Sequence, residues 1–347
     1  FAYGGRTLTD WYGGGDESFD HLWKIGADGA GLGAVVAEYE PDVVHSHNLP
    51  DVLTVRANEL VAGRIPVVHD VHDLQSLRRT AYEDGFPEPA EPLELERRAL
   101  EESTAAVTVS VELMDVLRRR YRLPGRSLVF PNYALSSDLP RPLVRAEHSL
   151  VNPHLVYQGT ISANGGHYDL RKIFEALVDE GFAVDVYPNR VVGEYRELAD
   201  RLCGLTLHEP CPPAEMLRQL PRYDFGWAGF NAELNKPHLD TALPNKIFEY
   251  LACGLPVLAF PHRAIRRLLT DDGLGIVVAH PREIAAELLR WDVTELRRRV
   301  AAARSRLTIE ANIHRLVELY RALNATCAEP AHATEASLET PPGGRGG

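Results

Sequence analysis

The sequence contains no apolar run approaching the roughly 20 residues that a membrane-crossing helix needs. Any membrane contact is therefore expected to be peripheral, at the inner face of the membrane. Cysteine is scarce as well: Cys203, Cys211, Cys253 and Cys327 lack the close pairing of a zinc site and are too few in 347 residues for a disulfide framework. Reduced thiols in a cytoplasmic protein are the simplest account, and the Asn324-Ala-Thr326 sequon is then accidental. Positive charge is short too, with 37 Lys and Arg against 49 Asp and Glu and a formal net charge of −12. That balance excludes a general nucleic-acid binder, which neutralises phosphates with an excess of Lys and Arg. The basic run Arg118-Arg119-Arg120-Tyr-Arg122 reads as a solvated helix face or as a local membrane or polyphosphate contact. No repeat of solenoid period is visible.

What is present is the composition of a globular chain, 45% hydrophobic and 25% charged, with length for two domains of ordinary size. Phe1 to Gly33 is glycine-rich and shows no strand pattern. From Ala34 the pattern is regular: short apolar strands at Asp42–His45, Ile65–Val68 and Ala105–Val109 alternate with helices over about 52–61, 93–102 and 111–121. Ser136 to Ser149 reads as a linker. The alternation resumes with His154–Gly159, then strands near 183–187, 205–208, 225–228, 257–260 and 275–278. Residues 295–323 form one long helical pattern, and the Pro- and Gly-rich residues 326–347 read as a disordered tail. The fold class is α/β, with doubly wound parallel sheets in two Rossmann-like domains.

Ligands in such sheets bind at the carboxyl ends of strands, where His45-Ser-His47-Asn48 and His69-Asp-Val-His72-Asp73 fall. A different pattern marks Leu243 to Phe260. Pro244 suits a first helical turn, Gly254 and Pro256 stop the helix, and Val257–Phe260 is a buried strand. Lys246 is a cation in the first turn, where the helix dipole disfavours one unless an anion sits there. Glu249, one turn on, is placed to accept two hydrogen bonds from a vicinal diol. A diphosphate with an attached ribose fits both. The same residues also read as an amphipathic helix with a solvated Lys246–Glu249 pair at i,i+3.

Pro244-Asn-Lys-x-Phe-Glu-Tyr-Leu-Ala-x-Gly-x-Pro256-Val resembles the nucleotide-sugar motif of the family 4 type glycosyltransferases, which have the two-domain GT-B fold. Pro41-Asp-Val-Val-His-x-His47, Pro66-Val-Val-x-x-x-His72 and Val129-Phe-Pro-Asn132 resemble strands of that family's first domain. The resemblance implies an acceptor-side domain over residues 1–135, a linker at 136–149, a donor domain at 150–292, and a final segment, 293–325, crossing back onto the first domain. It implies sugar transfer from a UDP-sugar or GDP-sugar to a hydroxyl acceptor (a sugar, a lipid-linked sugar or a small molecule) with retention and no metal or cofactor, in cell-surface glycan or glycolipid synthesis. His72, with Asp73 and His47, is the implied catalytic set. Gly159, Thr160, His167, Arg171, Lys172, Leu243, Pro244, Asn245, Lys246, Ile247 and Glu249 are the implied donor site, Glu249 holding the ribose.

Two departures from the family stand out. The Arg and Lys that neutralise the donor diphosphate are replaced by Thr160 and Gly166, leaving His167, Arg171 or Lys172 as substitutes. The acidic residue eight positions before the ribose Glu is Thr241, with Asp240 one step away. A family member's first domain would open with a strand, a glycine loop and a helix, none of which is legible here. Because the chain opens on Phe1, its natural start and part of the active site are expected upstream. Alternatives are a sugar-nucleotide epimerase of the same architecture, a non-catalytic sugar-nucleotide binder, and a metal hydrolase using His45, His47, His69 and His72 with Asp51 and Asp73.

Overall fold

The structure, a computed structural model, describes residues 1–5, 7, 9–10, 15–48, 51–79, 93–140 and 153–328. Most of the linker, from 141 onward, and the tail beyond 328 lie outside the described residues. The opening segment holds a strand pair that periodicity does not reveal: β1 (Ala2–Tyr3) and β2 (Trp23–Lys24) run parallel, two residues each. Neither joins a larger sheet. A helix, Leu32–Tyr39, follows.

The first lobe is a parallel sheet in the order β3 (Val44–His47), β4 (Val67–Val71), β5 (Ala105–Thr108), β6 (Arg126–Val129). Its β4 and β5 are buried at every residue, as expected of parallel strands covered on both faces. Both β3 and β4 start two residues later than the apolar pattern predicts, so the histidines of β3 lie inside the strand. Helices Val52–Val61, Leu93–Glu102 and Val111–Arg120 connect the strands. Ser110 caps the last of these, its hydroxyl accepting from Leu113 N at 3.0 Å.

The second lobe has six parallel strands in the order β12-β11-β10-β7-β8-β9, with β7 at His154–Gly159, β8 at Ala183–Pro188, β9 at Leu205–Leu207, β10 at Phe225–Trp227, β11 at Val257–Ala259 and β12 at Gly275–Val277. Apolar clusters cover both of its faces, one built around Ile247, Phe248 and Tyr250, the other around Tyr157, Phe174 and Trp227. The strand order reverses between β7 and β10. In doubly wound sheets that switch point opens a crevice at the carboxyl ends of the strands.

The long helix expected over 295–323 is two helices, Val293–Ala303 and Ile309–Ala328, with a 3₁₀ turn at Arg304–Arg306 between them. The break falls where the chain returns to the first lobe: Ile309 N donates to Ala134 O at 2.9 Å. Beyond it, Leu316, Leu319 and Leu323 pack on Val68, Ala105 and Val107. Direct contacts also join the lobes, among them Ser110 Oγ to Thr241 O at 2.6 Å and Arg79 N to Asn235 Oδ1 at 2.8 Å.

Candidate functional site

The carboxyl ends of β3 and β7 face a common cleft of about 1730 Å³, lined by His45, His47 and Asn48 on one side and Thr160, Gly166 and His167 on the other. Gly159 ends β7 at φ +117°, a left-handed conformation suited to glycine, and turns the backbone so that Thr160 faces the cleft. Asn189 Nδ2 donates to Thr160 Oγ1 at 3.2 Å and steadies the turn.

The Asn245–Ala252 helix lies beside this turn, brought to it by Lys246 and Glu249. Pro244 caps it without a side-chain hydrogen bond, so no side chain of the cap occupies the first N–H groups. Glu249, half-buried, accepts from Gln158 Nε2, and through that bond its carboxylate is tied to the residue just before Gly159. Glu249 is partly exposed next to the turn, just outside the residues that line the cleft. Burial raises its pKa, an effect Lys246 opposes.

Lys246 is a correction to the expected geometry. Its side chain is buried rather than extended at the helix mouth, with Nζ 4.0 Å from the Tyr157 ring centroid and 4.9 Å from that of Phe230. A Cβ on Gly159 would stand 3.3 Å from this Nζ, so the ammonium sits directly beneath the turn. Burial lowers its pKa to about 7, with Glu249 pulling the other way. The Ile247 side chain is core, as the amphipathic pattern predicts, and its N–H bonds to Pro244 O at 3.1 Å. Leu243 is buried as well, and the Asn245 carboxamide accepts from Asn132 Nδ2 of the other lobe at 2.8 Å.

Of the basic substitutes, Arg171 is engaged by Asp169 at 2.7 Å and by Ala163 O at 3.2 Å, and the neighbouring Lys172 is exposed. Neither lines the cleft. His167 does; it is buried, pairs with Asn235 Nδ2 at 3.2 Å, and has its pKa lowered to about 3 by burial and then by His238 and Arg78. It is therefore a neutral imidazole. Arg78, a buried guanidinium from the first lobe, also lines the cleft. The sequence reading passed over it because its reach into the second lobe's half of the site is a tertiary fact.

At the β3 and β4 ends, period-two geometry puts His45 and His47 on one face of the sheet, and Asp70 with His72 beside them. Asp70 Oδ2 lies 3.1 Å from His45 Nε2, 3.3 Å from His47 Nδ1 and 3.7 Å from His72 Nε2, and the His47 and His72 nitrogens are 3.2 Å apart. Burial alone would raise the Asp70 pKa, but hydrogen bonds from His45 and His47 outweigh it and hold the carboxyl well below the usual range. Asp70 is the residue the sequence reading missed, though its spacing of two from His72 was a legible signal. Asp73 turns elsewhere, to His238 Nε2 of the second lobe at 3.7 Å. His72 stands beside His47 and, like Asp73, is not itself part of the cleft lining.

The metal set of the rival reading is divided by the sheet. His69 projects to the other face, 2.9 Å from Thr54 Oγ1 and 3.5 Å from Asp51 Oδ1. On the near face, His45 and His47, whose rings stack at 12° with centroids 4.5 Å apart, and Asp70 each bring one ligand-type atom within 4.8 Å of the others, so these three could meet one ion. Chemically the cluster is a shared-proton network that presents imidazole edges to the cleft.

Two facing Rossmann-like lobes with a phosphate-suited turn at the switch point define the GT-B class. Residues 16–133 match the family described as Glycosyltransferase Family 4, and residues 169–321 match the one described as Glycosyl transferase-like. Among solved structures, the chain resembles sucrose-phosphate synthase from Thermosynechococcus elongatus, with TM-score 0.62 and 18% identity over 85% of this chain and 77% of that one. Anabaena HepE in complex with UDP is similar at TM-score 0.60 and 13% identity over 87% and 86%. A putative UDP-N-acetylglucosamine 2-epimerase from Listeria monocytogenes follows at 0.51 and 17% over 84% and 78%. No curated protein matches by sequence. The chain is a glycosyltransferase of the family 4 type. No helix among the described residues is long and apolar enough to cross a membrane.

Proposed function

We propose that the chain moves a hexosyl unit from a nucleoside diphosphate sugar, with UDP or GDP as the nucleotide, to a hydroxyl acceptor, with retention and without a metal. The observation that carries this is the grouping at the Gly159 turn: Glu249 bonded to Gln158, and the Lys246 ammonium beneath the backbone. A diphosphate over the turn would meet backbone N–H groups, the helix amino end and a cation below, while Glu249 would take the ribose hydroxyls.

The bond from the anomeric carbon to the diphosphate oxygen breaks, and the acceptor oxygen bonds to that carbon on the same face. The acceptor's hydroxyl proton passes to the departing diphosphate. Nothing is oxidised or reduced. His72, positioned by His47 and Asp70, faces the sugar, and the closed lobes exclude water that would otherwise hydrolyse the donor. Acceptors of the sugar, lipid-linked sugar or small-molecule kind fit this chemistry, and cell-surface glycan or glycolipid synthesis is the setting it fits.

The test is a screen of UDP-, GDP- and ADP-sugars for donor turnover. Tight nucleotide binding with no turnover on any donor and acceptor would overturn the transferase reading in favour of a non-catalytic binder. The likeness to a putative epimerase favours a second reading, sugar-nucleotide epimerisation, with Asp70 the nearest carboxylate to the cleft histidines. Appearance of an epimeric UDP-sugar without acceptor would select it.

A further inference from the structure

The Ile309–Ala328 helix packs Leu316, Leu319 and Leu323 against the first lobe's sheet, and Tyr320 lies on the same face by helical spacing. Phenylalanine would satisfy that packing. A half-buried phenol needs a partner as well, and the Tyr320 hydroxyl meets His45 Nδ1, with the two rings edge to face at 85° and 5.8 Å. Burial, and then Asp70, push the Tyr320 pKa up to about 12, so the hydroxyl keeps its proton and can donate it.

The other His45 nitrogen, Nε2, faces Asp70 Oδ2 at 3.1 Å. An ionised carboxylate only accepts, so in the neutral ring Nε2 carries the proton and Nδ1 accepts from the tyrosine. A change of tautomer would turn a lone pair toward Asp70 and remove one of the two donors that hold the carboxylate where His47 and His72 meet it. The phenol at one end therefore decides what the carboxylate at the other end receives.

We infer that Tyr320 is a positioning residue: its hydroxyl, reaching under β3 from the Ile309–Ala328 helix, fixes the His45 tautomer, and through Asp70 fixes the orientation of His47 at the cleft and of His72 beside it. A segment that follows the donor lobe in sequence thus sets the acceptor lobe's imidazoles. The inference deepens the proposed function and rests on the reading of His72 as the sugar-facing group.

The experiment is ¹⁵N-detected imidazole NMR on the full chain, wild type against Tyr320→Phe, which keeps the ring and removes only the hydroxyl. Wild-type His45 is expected as the Nε2–H tautomer; in Tyr320→Phe it loses that single form, and the His47 and His72 signals move. Turnover of UDP-glucose, UDP-N-acetylglucosamine or GDP-mannose, whichever the chain accepts, is expected to fall in kcat by about tenfold, the low end for loss of an outer hydrogen-bond partner, with donor KM unchanged. A purely structural role would lower thermal stability without moving the tautomer or splitting kcat from KM. An unchanged His45 tautomer in Tyr320→Phe overturns the inference, and does so even if His72→Ala abolishes turnover and upholds the sugar-facing role. Full turnover in His72→Ala would instead sink that role, while the imidazole signals of Tyr320→Phe still decide the tautomer.

Discussion

Gln158 Nε2 donates to Glu249 Oε2, joining β7, the first strand of the second lobe, to the helix that leads into β11. Each of the two residues alone is ordinary. Together they place a half-buried carboxylate one residue from the glycine that turns the backbone toward the cleft.

Glu249→Ala is expected to weaken UDP or GDP affinity by about 1–3 kcal/mol, the scale of lost hydrogen bonds to a charged acceptor. Gln158→Leu should lose less, because it frees the carboxylate without removing it. Isothermal titration of both variants checks this; unchanged affinity in Glu249→Ala would remove the ribose contact.

Lys246→Met separates stability from binding. The folded-state pKa of Lys246 is depressed from 10.5 to about 7, so the unfolded chain holds one more proton between those values and stability rises with pH across that window. Wild type carries the full burial penalty below about 7. Lys246→Met should therefore be more stable by about 2–4 kcal/mol at neutral pH, with an advantage that shrinks as pH climbs, yet bind nucleoside diphosphate more weakly. Urea titrations at pH 7 and pH 10 read the first effect.

The Asp51 and His69 pair, on the far face of the first lobe's sheet, predicts a pH profile that cancels. Burial, and then Glu96, raise Asp51 to about 7, so stability falls as pH rises from 3.8 to 7. Burial lowers His69 from 6.5 to about 4, so stability rises with pH over that span. In Asp51→Asn the amide still faces His69 but the falling limb is gone. Its unfolding free energy, read by urea titration, should climb by up to about 3 kcal/mol from pH 4 to 6.5, where wild type stays nearly flat.

Gly159→Ala adds a Cβ 3.3 Å from Lys246 Nζ at a φ of +117°. The left-handed backbone alone costs about 1–2 kcal/mol of stability. Diphosphate affinity should fall about tenfold or more, since the turn and the cation beneath it shift together; a loss of stability without a loss of affinity would show that the turn does not carry the phosphates.

Sequence by itself determined the doubly wound α/β class, because continuous apolar strands and amphipathic helices report burial residue by residue. His154–Gly159 was legible to the residue, and the helix carrying Glu249 to within a residue or two, since Pro244, its N-cap rather than its first turn, and Gly254 bracket it by local backbone chemistry. The histidine pairs at strand ends were legible for the same reason. Local pattern had no power over the orientation of Lys246, which depends on Tyr157 arriving from β7 and Phe230 from the loop after β10, or over the choice of Asp70 as the carboxylate the histidines share. Nor could it show the break at Arg304–Arg306, where a helical pattern continues but the chain must turn back to the first lobe. The Tyr320 to His45 contact spans 275 positions. Periodicity encodes which face of an element is buried; what a side chain on that face touches is settled only when distant elements pack, and the chemistry of this cleft is made of such meetings.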